Sequence, residues 1–262
     1  MAHEPSTGVL LRVAYDGSAF KGWASQKEVR TVETTLRGAV LAMDDQAGCL
    51  RGTSRTDAGV HAEDQVVAFD SARDIPAKGW VLGLNRHLPE DVSVRFACAV
   101  PKGFAPRFSA RSKRYRYRLL VDPVRDPYWR HRAWRVDAVD FALLALEARA
   151  AVGVHDFAGL RTSADRRTNT VRTLSHVDVV READPRIVAI VVQGDGFLHN
   201  MVRILVGTMT DVSRGRLPSG AVTRAIETSD RAVAGTTAPA HGLVLERVEL
   251  EMPGETGEGW PR

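Results

Sequence analysis

Apolar residues alternate with polar ones from residue 9 to residue 15 and stop at Asp16-Gly17, which predicts a strand running into a turn. Thr31 is a suitable helix N-cap, and Val32, Leu36, Ala39, Val40 and Met43 follow it at helical spacing. Residues 65–69 read as a short strand, 75–85 as a helix with Pro76 near its start, and 92–100 as a strand. This half therefore runs strand, helix, paired strand region, helix, strand.

The second half repeats that order. A strand is predicted over 111–121 and an amphipathic helix over 141–152, ending at Gly153. Strands at 172–181 and 187–193 flank Asp184-Pro185. A helix over 198–212, a short helix over 221–228 and a closing strand over 242–250 complete the pattern. Two similar halves imply an α+β fold, with two α/β halves whose antiparallel sheets face each other across a cleft. The expected boundaries are 1–105, 106–252 and a Gly-, Pro- and Glu-rich tail over 253–262, expected to be mobile.

Composition narrows the class. A chain of 262 residues, 44% of them hydrophobic, can bury a substantial core. Its two cysteines, Cys49 and Cys98, form no Cys-x-x-Cys pair, so neither a disulfide framework nor a structural zinc site is expected. Residues 1–8 lack the basic and apolar regions of a signal peptide, and no apolar run has membrane-spanning length. The net charge of +4 conceals an asymmetry. Residues 101–135 carry eleven Lys or Arg against Asp122 and Asp126, a local +9 that leaves −5 for the rest. Concentrated positive charge beside aromatic residues is an electrostatic footprint for nucleic acid.

Three stretches can carry chemistry. In Gly52-Thr53-Ser54-Arg55-Thr56-Asp57-Ala58-Gly59 the arginine and aspartate are two apart. On an extended backbone they share a face and can pair, and glycines on either side leave little bulk over the carboxylate. A guanidinium partner keeps a carboxylate ionised, as a nucleophile or base requires; a surface ion pair is the other reading. In Lys113-Arg114-Tyr115-Arg116-Tyr117-Arg118-Leu119, Arg114, Arg116 and Arg118 occupy one face. Three arginines in register need water or an anion. The tyrosines opposite fit either a core or a base-stacking role. In Gly194-Asp195-Gly196-Phe197-Leu198-His199-Asn200-Met201-Val202-Arg203, an apolar helix face leaves Arg203 off its centre. The third glycine of a nucleotide-binding loop is missing there, and His199 reads as a structural histidine.

The run Arg55-Thr56-Asp57-Ala58-Gly59-Val60-His61-Ala62 closely resembles the active-site signature of the TruA family of tRNA pseudouridine synthases. Eight consecutive residues are far more specific than a spaced pattern. Tyr15-Asp16-Gly17 with Gly22-Trp23, Arg107-Phe108-Ser109-Ala110, Asp156-Phe157 and Gly242-Leu243 are also family-like, so the resemblance spans roughly residues 11–250. There are departures. Ala24-Ser25-Gln26 replaces the usual Gln-x-Gln, residues 43–52 are short, and Asp156-Phe157-Ala158-Gly159 is smaller than the family pattern.

The resemblance implies two related halves joined through a continuous sheet around a central RNA-binding cleft. It makes Asp57 the catalytic carboxylate. It makes Tyr115 the ring that stacks on the target base, Arg203 a partner for Asp57, and Leu243 a residue packing beneath a flipped base. Arg55 would fill the space the base vacates or hold the phosphate backbone. Arg114, Arg116 and Arg118 would bind phosphates, which position RNA without reading it. The implied reaction isomerises uridine in the anticodon stem-loop of tRNA: the uracil–ribose C–N bond breaks, the base rotates, and it rejoins through carbon. It needs no cofactor and no metal. The implied setting is cytoplasmic, with tRNA as partner, no membrane, and a homodimer spanning one RNA. Two other classes stay open: a non-catalytic RNA-binding protein, and another base-acting enzyme such as a glycosylase.

Overall fold

A computed structural model of the chain describes residues 7–254 and 257–261. Residues 1–6 of the stretch read for a leader, and 255, 256 and 262 of the expected tail, lie outside the described residues. The chain forms two compact units. One comprises the residues up to Arg111 with those from Leu245 onward, and the other is Ser112–Val244.

In the first unit, β1 (Thr7–Tyr15) leads through a short turn to α1 (Val32–Met43). Thr31 caps that helix in a reciprocal arrangement with Thr34. The two-residue β2 (Arg51–Gly52) precedes β3 (His61–Ser71), which is followed by α2 (Ala77–His87), β4 (Val92–Val100) and the single turn α3 (Pro106–Ser109). The sheet runs β4-β1-β3, all antiparallel, with β2 on β3. Leu11 lies opposite Val67 on β3 and Ala97 on β4, and all three are fully buried. Phe69 of β3 meets Trp80 of α2 edge-on at 5.2 Å, a geometry that ring quadrupoles favour. Burying each such side chain stabilises the unit by roughly 2–3 kcal/mol.

The second unit holds β5 (Ala110–Val121, from Ser112), β6 (Trp134–Val136), α4 (Phe141–Ala150), β7 (Gly153–Asp156), β8 (Val171–Arg181), β9 (Ile187–Gly194), α5 (Met201–Ser213) and α6 (Ala221–Thr228). Its strand order is β5-β9-β8-β7, antiparallel throughout, with β6 added parallel to β5. The closing strand β10 (Leu243–Leu250) begins here, and its residues from Leu245 onward lie beside β3 in the first unit.

The α+β class is the one observed, and every long strand and helix expected from periodicity is present. The differences are short or terminal. β3 begins four residues earlier than the apolar run suggested, so His61 and Ala62 of the signature are already strand. The helix expected from 198 starts at Met201, because Asn200 takes the left-handed conformation with φ 61°. β2, β6 and β7 are too short for a period-2 signal to show. Part of the tail, expected to be mobile from composition, is tied to β4. Ala97 and Trp260 exchange two backbone hydrogen bonds of 3.0 Å, and the Gly257 amide donates to the Ala99 carbonyl at 3.1 Å.

Candidate functional site

Residues 55–60 of the signature lie on a loop, and only His61 and Ala62 are strand. Asp57 opens a turn closed by the Val60 amide donating to the Asp57 carbonyl at 3.1 Å, and Gly59 occupies it with φ 79°. That positive φ is why a glycine stands there. The ion pair expected from alternation is not formed: among the described residues Arg55 makes no ion pair. Arg55 is exposed and Asp57 is half-buried.

The loop is held from both sides. The Gln65 side chain, wholly buried on β3, accepts from the Thr53 hydroxyl at 2.7 Å and the Ser54 amide at 3.3 Å, and donates to the Ser54 carbonyl at 2.6 Å. Its amide thus acts as a short piece of strand against the loop's base. On the other side, Tyr15 and Thr56 share a buried hydroxyl–hydroxyl hydrogen bond of 2.7 Å. The Trp23 amide donates to the Thr56 carbonyl at 3.0 Å and the Gly59 amide to the Phe20 carbonyl at 3.3 Å. His61 Nδ1 accepts from the Gly17 amide at 3.1 Å. Gly17 is required by close approach: a Cβ there would lie 2.1 Å from the Val60 carbonyl oxygen. Tyr15, Gln65 and the residues from Gly17 to Trp23 are therefore supports of the Asp57 turn. Periodicity gave no reason to single out Gln65, since one polar residue in an apolar strand reads as an ordinary alternation.

In the second unit, Tyr115 is buried on β5 and its ring meets Phe197 edge-on at 5.0 Å. Tyr117, opposite Ile190 on β9, belongs to the core. It is fully buried, its hydroxyl donates to the Pro239 carbonyl at 2.7 Å, and burial pushes its phenol pKa far up. Leu243 is buried as well. Arg203 is the one residue of α5 that is not buried. Its Nε donates to the Ala238 carbonyl at 2.8 Å, and one terminal nitrogen donates to Asn200 Oδ1 at 2.7 Å. The left-handed Asn200 thereby fixes the guanidinium at the helix start. Asp165 accepts from the His199 amide at 2.8 Å and the Arg167 amide at 3.1 Å. Burial raises its pKa, but those amides outweigh it and leave the carboxyl below its usual range. His199 itself is exposed.

The arginine face of β5 meets an anion supplied by the chain. Arg116 and Arg118 share Glu182, at 3.3 and 3.0 Å, and all three side chains are about four-fifths covered. Arg114 donates to the neutral Gln193 at 2.9 and 3.1 Å.

A cavity of about 790 Å³ in the first unit is lined by Arg12, Arg95, Arg247, Asp64, Glu246 and Glu249 among others, with no residue of the Asp57 turn. Its cations and anions largely offset each other, and Arg12 is paired with Asp64. Among the described residues no His, Cys, Asp or Glu cluster could hold a metal ion, and no helix is long and apolar enough to cross a membrane.

A carboxylate on a braced turn in the first unit, and arginines and buried aromatic rings on β5 in the second, are residue types that suit an enzyme acting on an RNA base. Comparison with known proteins agrees. The family described as tRNA pseudouridine synthase matches residues 12–109 and 148–251. The tRNA pseudouridine synthase A of Geobacter sp. (strain M21) is 40% identical over 242 residues, 92% of this chain and 97% of that one. That of Acetivibrio thermocellus is 38% identical over 241 residues, 92% and 98% of the two chains. That of Pseudomonas aeruginosa is 35% identical over 254 residues, 94% and 86%. The chain belongs to the tRNA pseudouridine synthase family, a family of isomerases.

Proposed function

We propose that the protein isomerises uridine to pseudouridine in the anticodon stem-loop of tRNA, with Asp57 as the catalytic carboxylate. The observation that carries the reading is the Asp57 turn. Asp57, half-buried, follows residues that buried hydrogen bonds hold from both sides, Thr56 through Tyr15 and Ser54 through Gln65. Such pre-organisation suits a group that must meet a flipped base in one geometry. The unit up to Arg111 carries this carboxylate, and the proposal gives the basic strand β5 to the RNA-binding half.

The remaining roles belong to the same proposal. Tyr115 stacks on the uracil, Leu243 packs beneath it, and Arg203 supports the ionised Asp57. Arg55, exposed and without an ion pair among the described residues, is available to the vacated base position or to a phosphate. Arg114, Arg116 and Arg118 take phosphates, with Arg114 best placed because its partner is neutral. The protein works in the cytoplasm as a homodimer. The isomerisation moves no electrons to an outside acceptor, so its demands fall on proton handling and on breaking and remaking one bond to the ribose.

The test is incubation of purified protein with an unmodified tRNA transcript, followed by mapping of pseudouridine. Pseudouridine in the anticodon arm with RNA mass unchanged supports the reading. Released uracil would mean a glycosylase, and tRNA binding without any change in the RNA would mean a binding protein.

A further inference from the structure

Arg186, just before β9, holds three carboxylates at once. Its guanidinium contacts Asp122 at 3.0 Å, Asp126 at 3.0 Å and Asp184 at 2.8 Å. The same carboxylates shape the segment that follows β5. Asp122 accepts from the Val124 amide at 2.8 Å, and Asp126 from the Tyr128 amide at 2.9 Å. Trp129 donates its indole N–H to Asp184 at 3.3 Å and packs on the buried Leu120, Ala133 and Ile187. Residues 122–133 are thus a built loop, pinned by one guanidinium and one indole.

This arrangement sorts the charges. Every acid of the loop is turned inward and consumed by Arg186 or by backbone amides. Outside are Arg125, Arg130, His131 and Arg132, all exposed and, among the described residues, without an ion pair. Tyr128 stands among them, 72% exposed, its ring held edge-on to Trp129 at 5.3 Å. Exposed guanidiniums with a held aromatic ring, and no acid of the loop facing outward, match a sugar–phosphate backbone with a base or ribose to stack on. The contrast with β5 is direct, because Arg116 and Arg118 already have Glu182 as their anion.

We propose that the loop 122–133 is a second RNA-contacting surface, binding the backbone of tRNA through Arg125, Arg130 and Arg132 and stacking through Tyr128. It rests on the reading of the protein as a tRNA-modifying enzyme and adds to it a contact surface distinct from the base-handling residues. The Arg186 clamp is its positioning device: by drawing three carboxylates inward it lessens the repulsion they would exert on phosphates.

The experiment compares wild type with the triple variant Arg125→Ala, Arg130→Ala, Arg132→Ala. It measures binding to a full-length tRNA transcript across a salt series, melting temperature, sedimentation mass and pseudouridine formation. The triple variant should melt like wild type and bind at least tenfold more weakly at low salt. Its dependence of log affinity on log salt should be shallower by roughly 2–3, about one per lost phosphate contact. The same three positions changed to Lys should recover most of the slope. Tyr128→Ala should weaken binding with little change in slope. Unchanged affinity and slope in the triple variant overturn the proposal while leaving the enzyme reading intact. A changed sedimentation mass at unchanged affinity overturns it too and makes the loop a protein–protein contact. A wild type that makes no pseudouridine, yet loses tRNA on the triple substitution, sinks the enzyme reading and keeps the loop assignment.

Discussion

The hydroxyls of Tyr15 and Thr56 lie 2.7 Å apart in a buried hydrogen bond, joining the end of β1 to the residue immediately before Asp57. The residue next to the catalytic candidate is therefore held by one forty-one places earlier in the chain. Removing the Tyr15 hydroxyl leaves the Thr56 oxygen buried without that partner, which costs about 1–3 kcal/mol. Tyr15→Phe should lower stability by that amount and slow single-turnover pseudouridine formation more than it weakens tRNA binding. Adding Thr56→Val should recover stability, because two apolar partners need no hydrogen bond, but should not recover the rate. Full activity in Tyr15→Phe would show that the bond does not position Asp57.

Asp57→Asn keeps the side chain's shape and removes its ability to act as an anionic nucleophile or base. The variant should melt like wild type, bind tRNA as well or more tightly, and lose pseudouridine formation by at least about 10²-fold. Single-turnover assays with enzyme in excess give the rate. A well-folded Asp57→Asn protein with near-normal turnover would remove Asp57 from the chemistry.

Gln65 makes three side-chain hydrogen bonds to Thr53 and Ser54 from a wholly buried position. Gln65→Leu strands the Ser54 amide and carbonyl, each at about 1–3 kcal/mol, so a loss of roughly 3 kcal/mol is expected in chemical denaturation. Hydrogen exchange in residues 53–60 should rise more than in the rest of β3. Uniform protection would show that the loop is held without Gln65.

The Arg186 clamp predicts a pH signature. Hydrogen bonds from the Arg186 side chain and amide, and from Trp129, lower Asp184 from an ordinary 3.8 to about 2. Asp122 is also lowered, first by the Val124 amide and then by Arg186. A carboxyl with a depressed folded-state pKa stabilises the fold above its unfolded value and stops doing so as protons bind. The clamp's contribution should therefore be complete above about pH 4 and fade towards pH 2. Arg186→Ala should melt lower than wild type at pH 7, and the gap should narrow across that window. A gap independent of pH would mean that Arg186 acts through packing alone.

The sequence by itself determined the class of the fold, its long elements and the position of the catalytic candidate. Period-2 and helical patterns need only local side-chain alternation, so β1, β4, α1 and α5 were legible. The eight residues from Arg55 to Ala62 were legible as a family signature because identity over a contiguous run does not depend on geometry. What tertiary structure decided was which groups meet. Alternation put Arg55 and Asp57 within reach of each other, yet among the described residues Arg55 makes no ion pair. The register of Arg116 and Arg118 required water or an anion beside them, and only the fold showed that Glu182, sixty-four residues beyond Arg118, is one such anion. Asp122 and Asp126 counted against the basic stretch in a sum of charges, and Arg186 turns both inward. Gln65 and Tyr15 were silent in the pattern because a bracing role has no period: it exists only once distant segments are packed together and their buried polar groups must find partners.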